Sequence, residues 1–435
     1  MNALLKKIAS LPGMRSLKDI VLRRTHYLAW WRQRGEILSV RENYARLLLK
    51  LEGKVSKGGK LKVLFLFCES AKWKNQSVYD LMAKSDLFDP YICIVKADAD
   101  HDLSDDDFMA KVEEYKAFCR SRGMRVVEAY GVGGVSADLR HHDPDIVFYP
   151  LPWHLQDEHL PQKVSEFALT CYVPYFVPCR VSVAIHSQQD LHKFLFRHFV
   201  LNKYWARLYD SSRYFLPIAG GLVGVGHPML DVFNDPVIGE SAQDGCVIYA
   251  PHWSIAGCGF LRYSTFLENG KAILEYARNH PEIKWCFKPH PTLRNALAKF
   301  AKWTEKEIDD YYNAWAEIGF ACYDGSYPEL FKRSSCMITD CDSFLVEYSC
   351  VNKPLIHLKS SEQYLEDAPP FKKLFDSFYR VEDMSGLYAT LDDIVVKGND
   401  PKKAARDKAV KELKLNCSSA AQNIVDYLKE LITSN

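Results

Sequence analysis

A short apolar run leads directly into a histidine at Cys246-Val-Ile-Tyr-Ala-Pro-His252. The same arrangement returns at Trp285-Cys-Phe-Lys288-Pro-His290, and a third apolar run leads into acidic residues at Cys336-Met-Ile-Thr-Asp340-Cys-Asp342-Ser343. Each run predicts a β-strand covered on both faces, as in a parallel sheet. Ligands of such sheets bind beyond the carboxyl ends of the strands. We therefore expect these three strand ends to converge on one site.

Strand-like and helix-like segments alternate on both sides of these runs. Alternation of this kind predicts βαβ units and parallel sheets. The expected fold class is α/β and GT-B-like, with two Rossmann-like lobes facing a central cleft, as in GT-B transferases and nucleotide-sugar epimerases. Predicted strands lie near residues 62–67, 91–95, 124–127, 145–149, 246–250, 284–288, 319–323, 336–339 and 354–358.

The length of 435 residues is too great for a single core. The pattern divides the chain into a basic helical extension (1–60), an N-terminal lobe (61–230), a C-terminal lobe (231–400) and a C-terminal helix (401–435). A resemblance to GT-B enzymes would imply that the N-terminal lobe takes the acceptor and the C-terminal lobe takes the nucleotide donor. Helices are also predicted over residues 15–52, 188–210 and 293–317.

The positive charge of the chain is concentrated at its start. Residues 1–60 hold fourteen Lys or Arg and four Asp or Glu, a local net charge of +10, whereas the whole chain carries +1. Two readings fit this segment: a helix packed on the body with a solvated basic face, or a basic amphipathic helix resting on an anionic membrane surface. The near-neutral total argues against a nucleic-acid-binding protein.

Several classes of protein are disfavoured by motifs that the sequence lacks. Its 13 cysteines include no C-x-x-C pair, which favours reduced thiols and no structural zinc. No segment has the length and apolarity of a membrane span or the pattern of a signal peptide. We expect a cytoplasmic protein, free or peripheral on the inner face of the membrane. P-loop and G-x-S-x-G motifs are also missing.

The residues at the three strand ends suit work on a charged substrate. Pro251 ends the first strand and leaves His252 at the rim of the sheet. Pro291 is expected to begin the helix over 293–317, which would place Lys288 and His290 beside a helix N-terminus, a ready anion site. The plainer reading of each segment is a rigid turn with an incidental histidine.

The third strand end predicts a capped helix. Asp342 or Ser343 would cap it, with Glu347 one turn further on the same face, where its carboxylate can hold a ribose diol. Asp340-x-Asp342 also matches the D-x-D of metal-dependent GT-A enzymes, although two motif-bearing strands precede it here. A plain N-cap with a surface Glu347 is the alternative.

These motifs together resemble the CDP-glycerol glycerophosphotransferase family, which includes teichoic-acid and capsule-type enzymes. The similarity covers residues 226–358, with Lys288 where the family usually has Arg. The matching segments are Tyr249-Ala-Pro-His252-Trp, Phe287-Lys-Pro-His290-Pro, Tyr327-Pro-Glu-Leu-Phe331 and Ile338-Thr-Asp340-Cys-Asp342-Ser343-Phe-Leu-Val-Glu347-Tyr.

The resemblance implies transfer of glycerol phosphate from CDP-glycerol to a hydroxyl of a cell-surface glycan or lipid-linked acceptor, with release of CMP. His290 would contact the donor phosphate or protonate the leaving group, and His252 would act as base, although these roles can be exchanged. Glu347 would hold the cytidine ribose. No cofactor is implied, since cationic side chains can do the work of a divalent metal. The donor-binding set is Lys288, Pro291, Thr339, Asp340, Asp342, Ser343 and Glu347.

Two other functions stay open from the residues alone. One is a GT-B glycosyltransferase that uses a CMP- or UDP-linked sugar, because the strand-end layout would be the same. The other is a non-catalytic scaffold of a surface-polysaccharide assembly that binds a partner through residues 1–60. The oligomeric state and the identity of the acceptor are also left open.

Overall fold

The computed structural model of the protein forms two compact units. Unit 1 consists of Met1–Tyr175, Val183–Met229 and Ser419–Asn435, and unit 2 consists of Phe176–Ser182 and Leu230–Ser418. The structure describes residues 15–96, 103–127, 138–152, 155, 157–177, 179, 191–202, 205, 221–255, 263–322, 327–359, 367–413 and 419–433.

Helices account for much of the described chain. In order, they are α1 (Arg15–Ser56), α2 (Gln76–Ala83), α3 (Asp105–Ser121), α4 (Pro161–Val164), α5 (Leu191–Phe194), α6 (Pro228–Asp231), α7 (Phe266–Asn279), α8 (Leu293–Lys299), α9 (Glu305–Ile318), α10 (Tyr327–Arg333), α11 (Asp342–Ser349), α12 (Lys372–Asp376), α13 (Met384–Leu391), α14 (Lys403–Leu413) and α15 (Ala420–Thr433).

Unit 1 is built on a seven-stranded parallel sheet with the order β3-β2-β1-β4-β5-β6-β7. Five of its strands are almost entirely buried, as expected for a sheet covered on both faces, whereas the two edge strands, β3 and β7, are partly exposed. The strands are β1 (Leu61–Phe67), β2 (Phe88–Ile94), β3 (Val126–Val127), β4 (Ile146–Tyr149), β5 (Leu169–Tyr172), β6 (Arg197–Val200) and β7 (Leu222–Gly224).

The apolar face of α1 packs into the core of unit 1. Its buried residues recur every three or four positions, so they form one stripe along the helix. Within this stripe the hydroxyl of Tyr44 donates to the carbonyl of Phe194 at 2.6 Å and lies 2.5 Å from Oγ1 of Thr170. The packed-helix reading of the basic segment is therefore confirmed for this stripe. Its members are Ile37, Val40, Tyr44, Leu47 and Leu51.

Unit 2 contains a second parallel sheet, with six strands in the order β10-β9-β8-β11-β12-β13. Neighbouring strands pair in parallel throughout. In chain order, β9 and β10 are therefore added on one side of β8, and β11, β12 and β13 are added on its other side. The strands are β8 (Val247–Ala250), β9 (Trp285–Phe287), β10 (Phe320–Ala321), β11 (Cys336–Thr339), β12 (Leu355–Leu358) and β13 (Tyr379–Val381).

Three predicted helices differ from the structure. The helix over 188–210 is wrong in the described residues, where the short α5 is followed by strand β6. The helix over 293–317 is two helices, α8 and α9, separated where Lys302 adopts a φ of 61°. The last helical region is also two helices, of which α14 belongs to unit 2 and α15 to unit 1.

Neither a disulfide bond nor a helix able to span a membrane is found among the described residues. The eleven cysteines in the described ranges are all free thiols, and all but Cys322 are buried. Within the same ranges, no helix combines the length and apolar character needed to cross a bilayer.

Candidate active site

The candidate site lies where the sheet of unit 2 changes its direction of growth. Strands β9, β8 and β11 are neighbours, and their carboxyl ends carry Lys288 and His290, His252, and Asp340, respectively. Such a switch point is where open parallel sheets bind ligands. The loops are tied together by their backbones, since the N–H of His290 donates to the carbonyl of Pro251 at 3.0 Å.

Asp340 anchors the loop that carries His252. Its Oδ1 accepts the backbone N–H of His252 at 2.6 Å, and its Oδ2 accepts the backbone N–H of Thr265 at 2.6 Å and the Thr265 hydroxyl at 3.2 Å. Burial raises the pKa of Asp340 to about 7, although these donors oppose the shift. The carboxylate therefore joins the end of β11, the loop after β8 and the residue that precedes α7.

The two imidazoles lie side by side. The ring centroids of His252 and His290 are 5.1 Å apart, with an angle of 63° between the planes. His252 is 8% exposed, and His290 is partly exposed. Burial, and then the charge of Lys288, lower the pKa of His290 to about 4; burial and the neighbouring His290 hold the pKa of His252 well below 6.5. Both rings are neutral near pH 7.

Each ring is held by the residue two positions later. Nδ1 of His252 accepts the backbone N–H of Ser254 at 3.1 Å and lies 2.7 Å from the Ser254 hydroxyl, which itself accepts the N–H of Tyr263 at 3.1 Å. Nδ1 of His290 accepts the N–H of Thr292 at 3.2 Å and lies 2.8 Å from its hydroxyl. The rings are thus fixed in orientation before any ligand binds.

Lys288 brings a buried positive charge to the same edge. It is 5% exposed, and Nζ lies 5.4 Å from the ring centroid of Tyr327 and 5.9 Å from that of Phe344. Cation–π contacts of this kind compensate only part of the cost of burying an ammonium group. Across the described ranges no carboxylate forms an ion pair with it. An anionic ligand would supply the missing counter-charge.

Glu347 lies one turn into α11 and is buried. Its Oε2 accepts a hydrogen bond from the hydroxyl of Tyr327, the first residue of α10, whose ring also lies beneath Lys288. Burial and the Glu347 carboxylate hold the pKa of Tyr327 well above 10, so the phenol stays a donor. Lys288, Tyr327 and Glu347 therefore form one connected group.

The other predicted site residues lie nearby, with different surroundings. Thr339 is fully buried; its hydroxyl donates to the carbonyl of Ala250 at 2.7 Å and accepts the N–H of Cys341 at 3.0 Å, so it ties β11 to β8. Asp342 is partly buried and Ser343 is exposed at the start of α11. Pro291 is exposed and lies next to Thr292, the N-cap of α8.

Two expectations about helix starts are wrong. Cys341, and neither Asp342 nor Ser343, is the N-cap of α11, because the chain is still extended at Cys341 (φ −90°, ψ 109°). Pro291 precedes α8 instead of occupying its first position, since Thr292 at the N-cap already has a turn-like conformation. The proposed roles of these residues stay predictions.

Four polar residues of the site were missed from the sequence: Ser254, Thr265, Thr292 and Tyr327. A signal for two of them was present, because both histidines begin the pattern His-x-Ser or His-x-Thr. A hydroxyl two residues after a histidine is too common to single out before the loop geometry is known. Tyr327 lay within a matching motif but carried no predicted role.

The arrangement suits binding of an anion more than binding of a metal. Among the residues in the described ranges, no three His, Cys, Asp or Glu side chains are grouped to hold a metal ion. Both oxygens of Asp340 already accept N–H groups, which a cation would have to displace. A buried cation beside two neutral imidazoles instead fits oxygen atoms of a phosphate or diphosphate.

The comparisons with known proteins find one sequence match and several structures of the same fold. No family model matches the chain. It is 30% identical over 105 residues to the minor teichoic acid biosynthesis protein GgaB of Bacillus subtilis (strain 168), a match that covers 24% of this chain and 10% of GgaB. The chain thus matches only a tenth of the length of that curated relative.

Solved structures share the fold along most of the chain. The wall teichoic acid polymerase TagF, soaked with CDPG, has a TM-score of 0.50 and 14% identity, covering 94% of this chain and 98% of TagF. The UDP-GlcNAc 2-epimerase of Neisseria meningitidis, bound to UDP-GlcNAc, has a TM-score of 0.56 and 12% identity, covering 85% and 100%. The GT-B-like α/β fold class is confirmed, and so is the resemblance to teichoic-acid glycerophosphotransferase-like proteins.

Proposed function

We propose that this GT-B-like protein transfers glycerol phosphate from CDP-glycerol to a hydroxyl group of a cell-surface glycan or glycolipid and releases CMP. The proposal rests on Lys288, which is buried beside His252 and His290 at the switch point of unit 2 and forms no ion pair with a carboxylate of the described residues. The sequence match to GgaB and the fold shared with TagF support the choice of donor.

The reaction requires charge stabilisation more than covalent chemistry by the protein. The hydroxyl oxygen of the acceptor forms a bond to the phosphorus atom that carries glycerol. The bond from that phosphorus to the bridging oxygen breaks, CMP leaves with the electron pair, and the proton of the acceptor hydroxyl passes to a phosphate oxygen of CMP or to water. Because the acceptor attacks the phosphorus directly, positioning of the reactants and neutralisation of charge on the phosphate oxygens dominate.

The residues of the site are suited to these tasks. Lys288 would face the diphosphate, and the imidazole of His290 would reach an oxygen of the leaving group, with His252 next to it. Glu347, held by Tyr327, would accept hydrogen bonds from the cytidine ribose. Thr339 and Asp340 would act by holding the strand ends in place, since their polar atoms bond to the protein itself.

Calorimetry with a nucleotide panel tests the proposal. We expect CDP-glycerol to bind, CMP to be released when an acceptor is present, and UDP- and CMP-sugars to bind less tightly. Lys288→Met should weaken CDP-glycerol binding at least about tenfold, which is about 1.4 kcal/mol. Lys284→Met is the matched control, because Lys284 is exposed on the same segment and donates to the carbonyl of Asp244.

A second donor class is favoured by one observation. The UDP-GlcNAc 2-epimerase with the same fold is bound to UDP-GlcNAc, so a UDP-linked sugar is the alternative ligand of this site. Tight binding of a UDP-sugar together with failure to bind CDP-glycerol would replace the proposed donor.

We also propose that the basic face of α1 contacts an anionic membrane surface. Arg34, Arg46 and Lys50 are exposed on this helix, whose apolar stripe is packed into unit 1. We expect the protein to pellet with anionic vesicles and to be released by salt at about 0.5 M, where exposed charges are screened within a few ångströms. Pelleting that is absent, or that resists salt, would contradict this contact.

A further inference from the structure

The two histidines of the site share one local device. In each case the residue two positions later directs both its backbone N–H and its hydroxyl at Nδ1, through Ser254 for His252 and Thr292 for His290. A backbone N–H can only donate. Each Nδ1 is therefore an acceptor, and the single proton of each neutral ring lies on Nε2.

We propose that Ser254 and Thr292 are positioning residues that keep the ring protons of His252 and His290 on Nε2, so that the two rings offer N–H donors to the oxygen atoms of an anion. The identity of that anion, a diphosphate, rests on the proposed function. The tautomers themselves do not, because they follow from contacts within the chain.

The hydroxyl of Ser254 is arranged to donate to the ring. Its oxygen already accepts the N–H of Tyr263, so its own proton is available for Nδ1 of His252 at 2.7 Å. The hydroxyl of Thr292 makes the equivalent contact at 2.8 Å. Moving the ring proton to Nδ1 would set it against the backbone N–H and break that bond, and the hydroxyl would have to turn from donating to accepting.

The two rings lie close together, and their Nε2 atoms are not engaged by the described part of the chain. Neither has a hydrogen-bond partner among the described residues, and the ring centroids are 5.1 Å apart, close enough for both N–H groups to reach one diphosphate. The charge of Lys288 lies at the same edge of the sheet. The resting tautomer has no lone pair on Nε2, so a base role for His252 would first require a proton shift. Two donors can stabilise the negative charge on the phosphate oxygens during transfer.

Nitrogen NMR of the full chain tests this inference. In protein labelled with nitrogen-15 histidine at a pH of about 7.5, the signals of two of the fourteen histidines are assigned by His252→Gln and His290→Gln. We expect both rings to show an unprotonated Nδ1 and a protonated Nε2. A protonated Nδ1 on either ring of the wild type would overturn the inference, whatever the variants do.

Variants at the hydroxyls test the positioning role. Ser254→Ala should lower the Nε2–H population of His252 alone and weaken binding of inorganic sulfate, the probe anion, at least about threefold (about 0.65 kcal/mol). Thr292→Val should act on His290 alone, and the conservative Ser254→Thr and Thr292→Ser should restore wild-type behaviour. Unchanged tautomers and sulfate affinity in both hydroxyl-free variants would refute the positioning role.

The measurement of the ring tautomers can succeed or fail independently of the test of the proposed function. A protein with two Nε2–H rings that fails to bind CDP-glycerol would overturn the proposed donor and leave this inference standing. A protein that transfers glycerol phosphate but carries an Nδ1–H ring would do the reverse.

Discussion

Replacing Asp340 with Asn tests how a buried carboxylate supports the site. Asp340 is 1% exposed and accepts the backbone N–H groups of His252 and Thr265, one on each oxygen. Asn has one acceptor oxygen and one NH₂ group, so one of these two amides would face a donor. Leaving a buried donor unsatisfied costs about 1–3 kcal/mol. We expect that loss in the free energy of unfolding at a pH of about 5.

The size of this loss should depend on pH in a defined direction. Burial raises the pKa of Asp340 from 3.8 to about 7, so between these values the native state binds a proton that the unfolded chain releases. The wild type therefore loses stability as pH rises through that window, by up to about 4 kcal/mol. Asn does not titrate, so the deficit of Asp340→Asn should shrink, or reverse, between a pH of about 5 and about 8.

Urea denaturation followed by tryptophan fluorescence measures both effects, because Trp285 and Trp315 are buried in unit 2. Comparing wild type and variant at each pH cancels the titration of every other group. Asp310→Asn is the control, since Asp310 is an exposed partner of Lys306 on α9 and should change little at either pH. A deficit that grows with rising pH would refute the reasoning, because it would mean that the amides hold Asp340 as an anion.

Three further outcomes are expected in the same urea assay. Tyr44→Phe removes the buried hydroxyl that donates to the carbonyl of Phe194, so unit 1 should lose about 1–3 kcal/mol; an unchanged midpoint would show that the contact contributes nothing. Gly226→Ala should destabilise unit 1 by more than Gly123→Ala. Both glycines have a positive φ (96° and 69°), but of the two only Gly226 would bring an added Cβ against another atom, the Cβ of Ala420 at 2.7 Å. Equal losses of stability would exclude the clash. His290→Gln should reduce the stability lost as pH falls from 6.5 to about 4, since the pKa of His290 is lowered to about 4 and the unfolded chain binds the proton first; an identical acid profile would contradict that shift.

The part of the fold that could be predicted from sequence depends on short-range pattern. The runs around β8, β9 and β11 are continuous and apolar because both faces of the sheet are covered, and they end at Pro251, Lys288 and Asp340, respectively. Strand β6 was missed because a four-residue run beside a helical pattern is ambiguous until the neighbouring strand is known. Its pairing with β5 and β7 decides between helix and strand.

The candidate site could likewise be predicted only in part. Its strand ends could be located because parallel strands align their carboxyl ends, so His252, His290 and Asp340 were expected at one edge. The partners of these groups could not be derived, since the oxygens of Asp340 meet amides 75 and 88 positions away along the chain. The contact between Tyr327 and Glu347 likewise depends on how α10 and α11 pack against each other.

The path of the chain between the units limits how the protein can be divided genetically. Helix α15 closes the core of unit 1 with Ile424, Leu428 and Ile432, and Asn423 donates to the carbonyl of Val225 at 2.9 Å, yet nearly all of unit 2 lies between them in sequence. A gene cut after the codon for Met229 would yield two incomplete fragments. In the first, the part of the core that α15 covers would be exposed to water; the second would carry α15 without the core against which it packs. Functional complementation by split halves would therefore require residues 419–433 to be moved onto the first fragment.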